Sequence, residues 1–133
     1  RRIEEGAYVW RKLLDSGAVV VNGTDAPVEP FDPIANFYAS VTRRTLKGEL
    51  YPWSHPEQAM TREEALRSYT ADAAYASFEE AERGSIEVGK AADFTILSQD
   101  IMTLPTEEIL STAVVYTIVG GEVRFSHAGG VKE

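Results

Sequence analysis

The sequence predicts an α/β fold, and three consecutive observations support this prediction. Apolar residues spaced for one face of a helix occur over residues 2–16, and Gly17 follows as a typical C-terminal stop. Residues 18–22 then form a β-branched run without polar alternation, as expected for a strand that is buried on both faces. A polar loop begins at Asn22. A helix, a buried strand and a loop in this order are typical of an α/β unit.

Composition places the chain among globular proteins and excludes several functions. Its 133 residues are enough for one modest core, and 44% hydrophobic with 26% charged residues is ordinary for such a domain. The net charge of -8 argues against non-specific binding to nucleic acid or to an anionic membrane. The chain has no cysteine, which excludes disulfides and thiolate metal sites. The first residues carry neither an initiator Met nor the apolar stretch of a signal peptide, so we expect either that the sequence begins inside a longer protein or that an upstream part is missing. We expect a cytoplasmic location.

Two further helices are predicted from their N-terminal capping residues. Asp32-Pro33 is typical of a helix start, with Asp as the N-cap, and predicts a helix over 33–45. Thr61 and Glu64 form a capping-box pattern, which predicts a helix over 61–75. The alanine-rich end of this second helix can approach a neighbouring segment closely.

The chain changes character near Gly84, where we predict a domain boundary between residues 1–83 and 84–133. Gly120-Gly121 lies between two apolar runs and predicts a tight two-residue hairpin turn with positive φ. The strands predicted in this second part cover residues 93–98, 113–119 and 122–125. We expect the strand over 18–22 to belong to a different sheet from these.

Asp25 is the first candidate for chemistry. It follows the C-terminal end of the predicted buried strand, where α/β barrels assemble their active sites. A carboxylate there can bind a divalent metal or accept a proton from metal-bound water. The alternative is an Asx-turn before Ala26-Pro27, which is a common role of Asp in loops and the commoner explanation on spacing alone.

The segment Gly84-Ser85-Ile86-Glu87-Val88-Gly89-Lys90 has the spacing of a phosphate-binding loop. Ala91 stands where Ser or Thr should bind magnesium, and a strand rather than a helix is predicted to follow. Without a helix N-terminus, the anion would lose the favourable dipole and amide groups. We therefore interpret this segment as a pair of turns that lead into a strand.

The remaining candidates are weaker. His55 and His127 have no metal-ligand partner at the usual spacings, and each is interpreted as a solvated loop or tail histidine. His55, Tyr51 and Trp53 could still line a substrate pocket, although such aromatic rings more often cover the edge of a core.

Together, several blocks of the sequence resemble the amidohydrolase superfamily, and more narrowly amidohydrolase family 3, the branch with N-substituted formamide deformylase-like enzymes. The blocks are residues 13–18, Gly23-Thr24-Asp25-Ala26-Pro27 with its continuation to residue 30, residues 31–33, 61–69 and 73–76, the segment from Gly84 to Phe94, and residues 119–123. The resemblance covers about residues 1–125. It implies the C-terminal part of a metal-dependent (β/α)8 TIM barrel, with its last strand and flanking helices, plus part of a small β-sandwich domain.

The resemblance also implies a role for Asp25. In the family, the aspartate at the end of the eighth strand helps to bind the metal and acts as the base for the attacking water. Thr24 stands where the family often has Ser. The other metal residues of the family, a His-x-His pair, a bridging residue and two later histidines, have no counterpart in this chain.

These expectations define two competing functions. The first is a hydrolase of non-peptide carbon–nitrogen bonds in a small-molecule amide, dependent on a divalent metal such as zinc and active only when the complete barrel is present. The second is a non-enzymatic truncated module that folds or self-associates by itself. We expect no nucleic-acid or membrane partner. We also expect no metal on these residues alone, since one carboxylate is too few ligands, and we expect association with the missing part of the barrel or with a second copy.

Overall fold

The computed structural model describes residues 6–52 and 54–127. The α-helices bounded within these residues are α1 (Trp10–Asp15), α2 (Pro33–Thr42), α3 (Arg62–Tyr69) and α4 (Ala71–Ala76), with 3-10 helices at Pro56–Gln58 and Thr106–Ser111. Its three strands are β1 (Phe94–Leu97), β2 (Val114–Val119) and β3 (Glu122–Ser126). Within the described ranges, every helix is too short or too polar to cross a membrane.

The two predicted helix starts are confirmed. The Asp32 carboxylate accepts a hydrogen bond from the backbone N–H of Ile34 at 2.9 Å, as an N-cap should. Thr61 accepts from the backbone of Glu64, and the Glu64 side chain accepts from the backbone of Thr61, so both halves of the capping box are present. α2 ends earlier than predicted because Arg43 adopts a left-handed conformation with φ of 59°.

The predicted helices over 2–16 and 61–75 are each interrupted. In the first, predicted from residue 2 and so beginning outside the described residues, Gly6 is helical, Tyr8 breaks the helix with φ of 56°, and α1 begins at Trp10. The Arg43 guanidinium lies 4.1 Å from the centroid of the Trp10 ring, at the start of α1, in a cation–π contact. In the second, Thr70 has φ of -122° and ψ of -94°, and divides the segment into α3 and α4.

The sheet is antiparallel in the order β1-β2-β3. The glycine turn is confirmed, since Gly120 has φ of 60° and Gly121 has φ of 80°. Asp93 supports this turn from the start of β1, where its carboxylate accepts from the Gly120 N–H at 2.8 Å. The Gly121 N–H donates to the carbonyl of Ala92 at 2.9 Å. The hairpin is therefore fixed to the strand beside it at its tip as well as along its length.

The hydrophobic core lies between the helices and the 3-10 helix Thr106–Ser111. Its fully buried centre is Ile109 together with Ala65 of α3, both without exposed surface. Arg62 links α3 to the segment that contains this 3-10 helix. Its guanidinium donates to the carbonyl of Ile101 at 2.8 Å and to the hydroxyl of Thr106 at 3.2 Å. The other buried members of this core are Ile34, Phe37, Tyr38, Met60 and Ile101.

The prediction of a buried strand over residues 18–22 is wrong for the structure described. This segment is not part of any sheet, and Val19 and Val21 are 50% and 45% exposed. Its backbone bond to another part of the chain is the one from Asn22 N–H to the carbonyl of Ser68, at 3.2 Å. A β-branched run forms a strand only where a second strand completes the ladder, and no described segment does so. The coarser expectation of helices together with a small sheet is confirmed.

Candidate functional site

Asp25 lies at the first position of a turn over residues 25–28 and is exposed. Its backbone is left-handed, with φ of 53°, a conformation that Asp and Asn adopt more easily than most residues. The turn is closed by the backbone, since the Asp25 carbonyl accepts from the Val28 N–H at 2.8 Å. Within the described residues, the Asp25 carboxylate takes no part in this turn or in an ion pair. The Asx-turn explanation is therefore not what the structure has, and the carboxylate remains available for other chemistry.

The segment that leads to Asp25 is held against two helices by Asn22. The Asn22 side-chain amide donates to the hydroxyl of Ser40 in α2 at 2.9 Å and to the hydroxyl of Ser68 in α3 at 3.1 Å. Both serines are buried, with 4% and 1% of their surface exposed. The next carbonyl, that of Gly23, accepts from the side-chain amide of Asn36 at 2.9 Å. Asp25 is therefore preceded by two residues whose positions are fixed by the helices.

The described residues do not by themselves form a metal centre. Across residues 6–52 and 54–127, no three His, Cys, Asp or Glu side chains converge in an arrangement that could hold a metal ion. A catalytic zinc typically has three protein ligands, so the single carboxylate of Asp25 does not fit this requirement. Any metal that Asp25 binds must take its other ligands from residues beyond those described.

The segment from Gly84 to Lys90 consists of turns, as predicted, and leads to a strand. The Lys90 ammonium donates to the Ser85 hydroxyl at 2.6 Å and lies 3.6 Å from the Glu87 carboxylate. The Ser85 hydroxyl also donates to Glu87 at 2.7 Å, and this bond, with Lys90, lowers the pKa of Glu87. The lysine charge is therefore compensated within the loop, and no helix N-terminus follows, so the structure gives no support to phosphate binding.

The two histidines lie apart in the fold. His55 faces Glu57, with 3.0 Å between Nδ1 and the carboxylate oxygen. His127 follows β3, is exposed, and its backbone N–H donates to the carbonyl of Val115 at 2.9 Å. Neither joins Asp25 in a possible metal-ligand group within the described residues. Tyr51 is 48% exposed, and Trp53 lies outside the described residues.

An ion pair between Arg11 and Glu64 was not predicted. The Arg11 guanidinium makes a two-pronged contact with Glu64, with 2.7 Å for one of its two hydrogen bonds. Arg11 also donates to the carbonyl of Ala59 at 3.2 Å. The hydrogen bonds from Arg11 and then those from Thr61 lower the pKa of Glu64 to about 2. Glu64 thus both caps α3 and binds α1 to it. The capping box can be predicted from the sequence. The ion pair cannot, because Arg11 and Glu64 lie 53 positions apart.

Comparison with known proteins identifies the family of this chain. Residues 3–125 match the sequence profile of the amidohydrolase family. The chain belongs to this family. It is 35% identical over 119 residues to the N-substituted formamide deformylase of Arthrobacter pascens. This alignment covers 90% of this chain and 21% of that protein. It is 29% identical over 117 residues to the putative amidohydrolase YtcJ of Bacillus subtilis, which covers 88% of this chain and 22% of that protein.

The chain thus spans about a fifth of the length of these curated relatives. The predicted resemblance to amidohydrolase family 3 is confirmed. A solved structure with a similar fold is an amidohydrolase from Thermotoga maritima, with a TM-score of 0.63 at 20% identity. The similarity covers 90% of this chain and 26% of that one. At this identity the likeness concerns the fold alone.

Proposed function

We propose that this chain supplies the C-terminal part of a metal-dependent hydrolase of non-peptide carbon–nitrogen bonds. In this proposal, residues 1–83 complete a (β/α)8 barrel and residues 84–133 form part of a small β-sandwich domain. Family membership of nearly the whole chain supports the proposal. So does the share of about a fifth that the chain covers in its relatives, since the remainder of a barrel would have to be supplied by other residues.

The observation that carries the proposal is the state of the Asp25 carboxylate. It is exposed, and the turn beneath it is closed by the backbone alone. A carboxylate in such a position can accept the proton that water loses as it attacks a carbonyl carbon. When bound, a divalent metal such as zinc would lower the pKa of that water. Asp25 would contribute one ligand, and residues outside this chain would contribute the others.

The proposed substrate is a small-molecule amide. The relative from Arthrobacter pascens is named for its action on N-substituted formamides, which makes these compounds the first to assay. Formate release and amine release would be measured with the complete gene product and, separately, with the 133-residue chain. Bound zinc would be determined in both preparations.

We expect hydrolysis and bound metal in the complete gene product and neither in the separate chain. A complete gene product that lacks both activity on a panel of amides and bound metal would contradict the proposal. That result would instead favour the non-enzymatic module. Stoichiometric zinc on the separate chain would show that Asp25 has partners that the described residues do not provide.

A further inference from the structure

We propose that Asn22 is a positioning residue for Asp25, which it locates by fixing the backbone three positions upstream to helices α2 and α3. This inference rests on the proposed function, because it gives Asn22 a role only if Asp25 acts in the reaction. Three hydrogen bonds carry it: two from the Asn22 side-chain amide, to Ser40 and Ser68, and one from its backbone N–H to the carbonyl of Ser68 at 3.2 Å.

The hydrogen bonds of the two serines fix the direction of this network. The Ser40 hydroxyl donates to the carbonyl of Asn36 at 2.9 Å, and the Ser68 hydroxyl donates to the carbonyl of Ala65 at 2.7 Å. A hydroxyl has one proton, so each serine can only accept from Asn22. Asn22 must therefore be a double donor. An aspartate of the same shape could accept from these serines only if both hydroxyls gave up their bonds to the carbonyls of Asn36 and Ala65, and its charge would lie in a part-buried setting where this is costly.

The same helix that holds Asn22 also holds the next residue. Asn36 and Ser40 lie four positions apart in α2, on one face of the helix. Ser40 binds the Asn22 side chain, and Asn36 binds the Gly23 carbonyl at 2.9 Å. Only Thr24 then separates this anchored pair from Asp25. The turn over 25–28 is exposed. The bonds of Asn22 and Gly23 therefore fix the position of the Asp25 backbone relative to the buried part of the molecule.

Catalysis is sensitive to such placement. A misplacement of about 1 Å can lower the rate about 10²-fold, and residues that hold a catalytic ligand typically contribute about 10–100-fold to activity or metal affinity. We therefore expect Asn22→Asp to lower kcat of the complete gene product by about 10–100-fold, with a much smaller change in KM. Ser40→Ala removes one of the two acceptors and should lower kcat by a smaller factor.

The first test is a double-mutant cycle on amide hydrolysis in the complete gene product. If Asn22 acts through Asp25, Asn22→Asp should have little further effect on the residual turnover of the Asp25→Asn variant, because residues that act as a unit are not additive. Multiplicative losses would show that Asn22 acts independently of Asp25 and would overturn the inference. Unchanged turnover in Asp25→Asn alone would contradict the proposed function itself. Loss in Asp25→Asn with normal kcat in Asn22→Asp would remove only the positioning role.

The second test measures position without activity. Hydrogen exchange of metal-free protein would follow the backbone amides of Asn22 and Val28, which donate the bonds described above. We expect faster exchange of both amides in Asn22→Asp, with α2 and α3 still protected. The control is Gly84→Ala, which should also destabilise the fold. Its added methyl group would meet α4 and Thr70 rather than residues 22–28. Unchanged exchange at residue 28 in Asn22→Asp would contradict the proposal, and so would a loss of kcat in Gly84→Ala equal to that in Asn22→Asp.

Discussion

Among the described glycines, Gly84 is the one at which an added methyl group would meet the closest contacts. It has φ of 91°, and a Cβ there would lie 2.6 Å from the Cβ of Ala74. The same atom would lie 3.1 Å from the Cα of Ala71 and 3.1 Å from the carbonyl oxygen of Thr70. Two of these neighbours are backbone atoms of the α3–α4 region, so they cannot move aside as a flexible side chain would.

The cost of Gly84→Ala can be estimated from two contributions. A left-handed conformation costs a residue with a Cβ about 1–2 kcal/mol. Overpacking of a close contact costs typically about 1–3 kcal/mol. The lower entropy of unfolded alanine returns about 0.4–1 kcal/mol. We therefore expect the free energy of unfolding to fall by about 1–5 kcal/mol, which is a large share of the roughly 5–15 kcal/mol of a typical domain.

Gly89→Ala is the matched control. Gly89 has φ of 97°, and a Cβ there would meet nothing within 4 Å. Both variants carry the conformational strain, so the difference in their unfolding free energies isolates the contact with α4. Urea denaturation followed by circular dichroism would measure it. In the Gly84→Ala background, Ala74→Gly removes the methyl group that is struck and should recover part of the loss. Equal destabilisation by Gly84→Ala and Gly89→Ala, with no recovery, would refute this reasoning.

Three further predictions concern local features of the fold. Because Arg11 lowers the pKa of Glu64 from 4.5 to about 2, this pair stabilises the fold above about pH 4.5 and loses its contribution as the pH falls toward 2. The shift corresponds to at most about 3 kcal/mol, and partial exposure of the pair reduces this contribution to about 1–2 kcal/mol. Glu64→Gln should remove that part of the acid sensitivity of the unfolding free energy, measured by urea titrations at several pH values. An unchanged pH profile would contradict the assignment. Asp32→Ala should lower the free energy of unfolding by about 1 kcal/mol through loss of the N-cap, whereas Asp32→Asn should cost much less; equal losses would argue against capping. Replacing Gly120 and Gly121 together by Val should lower the thermal midpoint, because β-branched residues resist positive φ, and an unchanged midpoint would argue against this turn.

The features that could be predicted from the sequence depend on contacts close in the chain. The N-cap at Asp32 and the capping box at Thr61 involve residues two or three positions apart. The Gly120-Gly121 turn joins adjacent strands and is equally local. In contrast, Thr70 divides a segment that its own pattern predicts to be one helix. The α4 segment after this break lies close to Gly84, a contact that a local pattern does not contain.

The prediction of a strand over residues 18–22 is wrong for a related reason. Strand formation needs a partner, and a run of valines contains no information on whether one is present. The sequence places Asn22 where the predicted strand ends and a polar loop begins, and it predicts no further role, because the partners Ser40 and Ser68 lie 18 and 46 positions away. Asp25 is a special case, since spacing alone favoured an Asx-turn and only the family resemblance indicated catalysis. In the structure the backbone closes this turn without the Asp25 side chain, so there is no Asx-turn, and the catalytic role stays a prediction.

The central claim is that Asp25 acts as base and metal ligand in amide hydrolysis, and Asp25→Asn tests it most directly. Asn is nearly isosteric and also tolerates the left-handed conformation at this position, so the fold should be retained. It carries no negative charge and cannot accept the proton. Turnover and bound zinc would be measured together in the complete gene product, before and after the substitution. We expect turnover to fall by at least about 10²–10⁴-fold, the usual contribution of a general base, with a further loss if zinc is released. Turnover equal to that of the unsubstituted protein would contradict the claim.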